Sequence, residues 1–136
     1  MKTMRATVTT VLIVGGVLTQ HVVRAQQTEM TGIKRTDLQQ HDLSAPGREA
    51  VQVRVDIGPG VAFGRHTHPG EEIIYVLAGT LEYQIEGKQP VTLKAGDVLF
   101  IPAGTIHAAR NVGGDTASEL ATYVVEKGKP LLTLVK

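Results

Sequence analysis

"GPGVAFGRHTHPGEEIIYVLAGTLEY", residues 58–83, decides how the rest of the chain is read. His66 and His68 stand two residues apart, Glu71 and Glu72 follow, and an apolar run closes on Gly79. On a strand, side chains at i and i+2 share a face, so the two imidazoles point the same way. The same parity separates the glutamates. Glu72 shares a face with Ile74 and Val76, and Glu71 shares the opposite face with Ile73, Tyr75 and Leu77. Only one of them can join the histidines, and parity alone does not say which face is inward. A carboxylate buried without a partner is costly, so a glutamate inside a small barrel implies a cation or a hydrogen-bond network.

The period of two extends along most of the chain. "EAVQVRVDI" (49–57) puts Val51, Val53, Val55 and Ile57 on one face and Gln52, Arg54 and Asp56 on the other. "EEIIYVLA" (71–78) is an apolar run of strand length, and "TLEYQIE" (80–86) alternates again before a "GKQP" hairpin turn and "VTLK". "VLFI" (98–101), "TIHAARNV" (105–112), "SELATYVVE" (118–126) and "LLTLV" (131–135) follow, separated by glycine and proline turns. Eight or more short strands with no helical period predict an all-β sandwich or barrel of antiparallel strands.

The first 25 residues read as export machinery rather than fold. Lys2 and Arg5 precede the apolar "VTTVLIVGGVL" (8–18), which is too short to span a bilayer comfortably, and Val23 and Ala25 form a small-residue cleavage pattern. The expected organisation is a signal peptide at 1–25, an N-terminal arm with one or two short edge strands at 26–48, and a β-barrel domain at 49–136. The expected location is periplasmic or secreted. Losing Lys2, Arg5 and Arg24 from 14 basic residues leaves 11 against 13 acidic ones. That balance excludes nucleic acid and, after signal removal, membrane as partners by charge. The absence of cysteine removes disulfides, thiol chemistry and thiolate-bound zinc.

Of the four histidines beyond residue 25 (His41, His66, His68 and His107), three sit in two similar turn–strand units. The second unit is "GDVLFIPAGTIHAARN", residues 96–111, which delivers His107 onto a new strand. Neutral imidazoles with one carboxylate, and coordination positions left open, suit a first-row divalent metal. The two units resemble the two motifs of the cupin superfamily. The first is Gly60, His66-Thr67-His68, Glu72 and Gly79; the second is Gly96, Pro102-Ala103-Gly104, His107 and Asn111. The resemblance runs from Gly60 to Asn111. It implies a six-to-eight-stranded jelly-roll barrel with one metal (manganese, iron, nickel, copper or zinc) held by His66, His68, Glu72 and His107. It also selects Glu72 over Glu71 and gives Asn111 a structural role in the turn at 112–114.

The function implied by this resemblance is a metal-dependent, dioxygenase-like oxidoreductase acting on a small-molecule substrate, with Glu72 as the ligand able to release and take a substrate proton. The alternatives are a non-enzymatic metal- or ligand-binding sensor and a cupin lyase or isomerase. Gln52 and Arg54 would line the cavity only if their face turned inward, and the outward reading is the default. Tyr75, Tyr83 and Tyr123 read as core or interface residues. Arg65 and Arg110 point away from the ligand face, and His41 is expected at the surface. A homodimer is expected, with the apolar faces of "VQVRV" and "ELATYVV" as its interface.

Overall fold

The computed structural model describes residues 30–136, so the expected signal peptide lies outside the described residues. Ten strands follow in order: β1 (Ile33–Asp42), β2 (Arg48–Ile57), β3 (Ala62–Thr67), β4 (Gly70–Ala78), β5 (Thr80–Ile85), β6 (Val91–Lys94), β7 (Val98–Ile101), β8 (His107–Asn111), β9 (Ala117–Glu126) and β10 (Thr133–Leu134). No helix, and so none long and apolar enough to cross a membrane, occurs among the described residues. The strands form two five-stranded antiparallel sheets, β1-β2-β9-β4-β7 and β10-β3-β8-β5-β6. The chain steps from one sheet to the other at β2–β3, β3–β4, β4–β5, β6–β7, β7–β8, β8–β9 and β9–β10, which is jelly-roll topology.

The inward faces obey the sequence parity. Val51, Val53, Val55 and Ile57 of β2 meet Ile74 and Val76 of β4 and Ala121, Tyr123 and Val125 of β9, with Leu81, Tyr83 and Ile85 of β5 across the barrel. Burying an aliphatic side chain of this size contributes about 1.5–3 kcal/mol. These faces are the core, which corrects the expectation that "VQVRV" and "ELATYVV" offer apolar faces to a partner. Gln52 and Arg54 point outward, as the default reading had it, with Gln52 half-buried and Arg54 exposed.

Two elements differ from expectation in extent. Residues 33–42 form one ten-residue strand rather than short edge pieces. The strand escapes hydrophobic patterning because it is the outermost strand of its sheet, with little of either face buried. In the closing segment "LLTLV", the strand covers Thr133 and Leu134, paired with Thr67 and His66, and Val135 N donates to Arg65 O.

Glycine serves two purposes near the site. Gly79 has φ +77, and a Cβ there would lie 2.7 Å from the Ala117 Cα. That combination of left-handed backbone and close approach admits only glycine at the β4–β5 corner. Gly70, between the histidine pair and Glu72, sits so close to β9 that a Cβ would strike the Val124 carbonyl. It lets β4 lie tight against β9, and this seats Glu72 directly opposite Tyr123.

Candidate metal centre

The two sheets bring four polar side chains together in an otherwise apolar interior. His66 is on β3 and is paired in register with His107 on β8. The β3–β8 register shifts between Phe63 and His66, a bulge that re-aims the end of β3. His68 follows immediately after β3, at the turn into β4. Glu72 comes from β4 in the opposite sheet, flanked by Ile101 on β7 and Tyr123 on β9. All four are buried, none more than 6% exposed. Glu71 is half-buried on the other face. Nitrogen atoms of the three imidazoles lie within 4.8 Å of one another.

Backbone carbonyls set the orientation of every ring. His66 Nδ1 donates to Gly64 O at 2.7 Å, His68 Nδ1 to Leu131 O at 2.7 Å, and His107 Nδ1 to Thr105 O at 2.9 Å. A carbonyl can only accept, so each Nδ1 carries a proton, and in the neutral ring each Nε2 presents a lone pair. Those of His107 and His68 face Glu72. Its Oε2 lies 3.0 Å from His107 Nε2 and 3.4 Å from His68 Nε2. Both His68 Nε2 and Glu72 Oε2 are buried without a hydrogen-bond partner. Acceptor facing acceptor is repulsive unless a cation sits among them, and an orphaned buried polar atom costs about 1–3 kcal/mol. Three neutral imidazoles and one carboxylate, each locked by an outer hydrogen bond or a neighbour, are a donor set that fits a divalent transition metal.

The electrostatics run the same way. Burial, reinforced by the neighbouring His107 and His68, pushes the His66 imidazolium down to about 4, so the ring is neutral near pH 7. Burial would raise Glu72, but positive charge and hydrogen bonding at the His107 and His68 nitrogens facing it outweigh burial and hold the carboxyl at about 2. The carboxylate therefore stays charged and calls for positive charge, a proton or a metal ion, between it and those nitrogens.

Several neighbours of the cluster had no signal of their own in the sequence. Tyr123, expected only as core or interface, packs its ring 4.7 Å from His68 and stands opposite Glu72 across the β4–β9 pair. Deeper in the barrel Glu119 is buried, and the Tyr83 hydroxyl donates to its Oε2 from the opposite sheet. Burial and the Glu72 charge raise the Glu119 carboxyl to about 8. The strand parity of "SELATYVVE" places Glu119 and Tyr123 on one face, but a charged residue is read as outward by default. Arg65 and Arg110 lie outside, paired with Glu86 and Glu82, and His41 is exposed. Asn111 binds the 112–115 turn: its Nδ2 donates to Asp115 O and Ile57 O, and its Oδ1 accepts from Gly113 N.

Comparison with known proteins places this geometry among relatives. The family described as the cupin domain matches residues 53–125. An oxalate-binding protein of Thermotoga maritima is 38% identical over 73 residues, 53% of this chain and 60% of that protein. The crystal structure of DMSP lyase DddQ from Ruegeria pomeroyi superposes with a TM-score of 0.59 at 30% identity, covering 63% of this chain and 43% of the lyase. Oxalate oxidase in complex with the substrate analogue glycolate superposes with a TM-score of 0.63 at 26% identity, covering 79% of this chain and 57% of the oxidase. The alignments thus span between 43% and 60% of these proteins' lengths.

Proposed function

The chain belongs to the cupin family, and from that premise we propose that it is an exported, metal-dependent enzyme that acts on a small molecule by oxygen-dependent, dioxygenase-like chemistry. The observation that carries the metal reading is the meeting of the His68 and His107 Nε2 atoms with the buried Glu72 carboxylate, with the His66 imidazole gathered beside them. His66, His68, Glu72 and His107 would hold the ion. When bound, the metal supplies Lewis acidity and, for iron, manganese or copper, a redox centre. The protein's own part is to orient and to move a proton. The Gly64, Thr105 and Leu131 carbonyls fix the rings, Tyr123 packs beside Glu72, and Glu72 Oε2 accepts the substrate proton. Supporting the export reading are the charged start, short apolar core and small-residue cleavage pattern of residues 1–25.

The substrate class follows from the relatives' printed ligands. Oxalate, glycolate and dimethylsulfoniopropionate are all small carboxylates. No lysine or arginine is among the buried charged residues described, so an anionic substrate would find its counter-charge at the metal. Two of these relatives also favour specific alternatives: a binding protein without turnover and a lyase that needs no oxygen.

Oxygen consumption separates the three readings. Metal-loaded protein offered oxalate, other small carboxylates, phenolics and flavonoids should take up oxygen with at least one of them. Anaerobic turnover would replace the proposal with a lyase or isomerase. Tight ligand binding with no turnover in air would replace it with a binding protein.

The tail after β9 tests the metal site separately from the chemistry. Leu131 O is the acceptor for His68, and Thr133, Leu134 and Val135 hold it in place along β3. Deleting residues 129–136 should weaken zinc affinity about 10–100-fold, the usual effect of losing an outer-sphere partner, as read by calorimetric titration. Unchanged affinity would show that the tail does not orient His68.

A further inference from the structure

The two sheets meet differently at their two flanks. Their strand orders run in step, because the β2–β3, β8–β9, β4–β5 and β6–β7 connections each join strands at equal positions in the two sheets. At one flank β6 passes to β7 through the tight turn at 95–97, which closes it. At the other, β1 and β10 are the edge strands, and no pairing joins them among the described residues. The hydrophobic residues there stop short of a seal: Ile33, Phe63 and Leu131 pack against the core but are only partly buried. This open flank lies beside the histidine cluster. The Phe63 ring is 4.6 Å from the His66 ring, and Leu131 O accepts from His68 Nδ1.

A cation stands on the inner wall of the same flank. In the β1–β2 register, Ile33, Arg35 and Asp37 lie opposite Ile57, Val55 and Val53. Residues directly opposite in an antiparallel pair share a face, and those three β2 residues belong to the core. Arg35 therefore sits on the barrel side of a largely exposed edge strand, with its side chain 30% exposed. Its charge acts on the buried Tyr123 hydroxyl, and the Tyr123 ring is 4.7 Å from that of His68. Asp37 Oδ1 takes the Arg35 Nε–H at 3.0 Å, and both terminal amino groups of Arg35 are left without a hydrogen bond among the described residues. An exposed pair of this kind contributes little to stability, so it does not account for a cation on the inner face. A guanidinium half out of water with its fork unfilled suits a carboxylate, held by two parallel hydrogen bonds.

We infer that Arg35 is a substrate-binding residue at this entry, holding the carboxylate of a small molecule whose other end reaches the cluster of His66, His68, Glu72 and His107. The substrate class is then a short acid with a second polar group, such as a dicarboxylate. This deepens the small-carboxylate reading of the site and rests on it. The metal is one counter-charge for such a ligand, and Arg35 supplies a second at the mouth. Asp37 is a positioning residue, since it occupies Nε and leaves the terminal amino groups to the ligand.

Calorimetric titration of the zinc-loaded protein with malonate, succinate and propionate tests the assignment. Zinc has no redox chemistry of its own, so the readout is binding and does not depend on oxygen. At least one of the two dicarboxylates should bind about 10–100-fold more tightly than propionate, which has a single carboxylate to offer. Arg35→Gln should erase that preference with zinc affinity and circular dichroism unchanged. Arg35→Lys, which keeps the charge and loses the fork, should restore only part of it. Arg54→Gln, on the outer face of β2, should keep the wild-type preference. Chemical modification gives a reading free of variants: phenylglyoxal should label Arg35 more slowly with the dicarboxylate bound, as followed by peptide mass spectrometry. Absence of zinc uptake would sink the metal reading, and with it the anchor for the far end of the ligand. Zinc uptake with no preference for either dicarboxylate, a preference that survives in Arg35→Gln, or equal labelling of Arg35 with and without ligand would each overturn this inference alone.

Discussion

Glu72→Gln is expected to stabilise the metal-free protein at pH 8 by about 1–3 kcal/mol while weakening its metal affinity on the order of 100-fold or more. The two effects have one cause. In the wild type, Glu72 Oε2 meets His107 Nε2 at 3.0 Å and His68 Nε2 at 3.4 Å, with every Nδ1 proton already given to a carbonyl. A glutamine of the same shape puts an N–H donor where those lone pairs converge. The empty cluster is thereby satisfied, and the anion that a divalent ion needs is gone. Urea melts in the presence of chelator, paired with calorimetric titration of zinc or manganese, read both halves. A less stable metal-free variant, or one with unchanged metal affinity, would mean that the cluster is a proton-linked hydrogen-bond network rather than a cation site. His107→Ala shares the loss of affinity but cannot share the gain in stability, since it leaves Glu72 buried beside a void.

That opposition between stability and function is the physical reason why so much of the site is legible in the sequence. A group of acceptors kept together at a cost needs every member in place, so the spacing of His66, His68, Glu72 and His107 stands out against the alternating strands around it. The strands are legible for a simpler reason: β2, β4, β5 and β9 each bury one face, and burial leaves a period of two. Where neither condition holds, the reading stops. β1 lies at an edge with little of either face buried, so it leaves no period to find. Leu131 serves His68 through a backbone carbonyl 63 residues away, which no side-chain pattern encodes. The apolar face of a strand also does not say whether it meets its own core or another molecule. In "EEIIYVLA" both faces are apolar, one for the barrel and one, with Phe100 and Val98, for the outside.

Glu119 is the clearest residue that only the folded structure explains, and its replacement by glutamine should change how stability depends on pH. Its carboxyl is raised to about 8, by burial and then by the Glu72 charge, from an ordinary value near 4.5. Between those values the unfolded chain is ionised at this position and the folded one keeps its proton. The folded state binds more protons there, so stability falls as pH rises. The contribution is complete below 4.5 and is lost by the time pH passes through about 8. His66 acts in the opposite sense. Its pKa is lowered to about 4, so its contribution is complete above 6.5 and is lost as pH falls through 4. The two limbs should leave the metal-free protein most stable between about pH 4.5 and 6.5. Glu119→Gln has no proton to lose and still accepts from the Tyr83 hydroxyl. It should therefore remove the alkaline limb, gaining on the order of 5 kcal/mol over the wild type at pH 9, with the acid limb unchanged. Urea midpoints at pH 5, 7 and 9 for the two proteins measure the difference directly. Parallel loss from pH 5 to 9 in both would show that Glu119 is already ionised in the folded barrel and that the Tyr83 hydroxyl holds it there as a carboxylate.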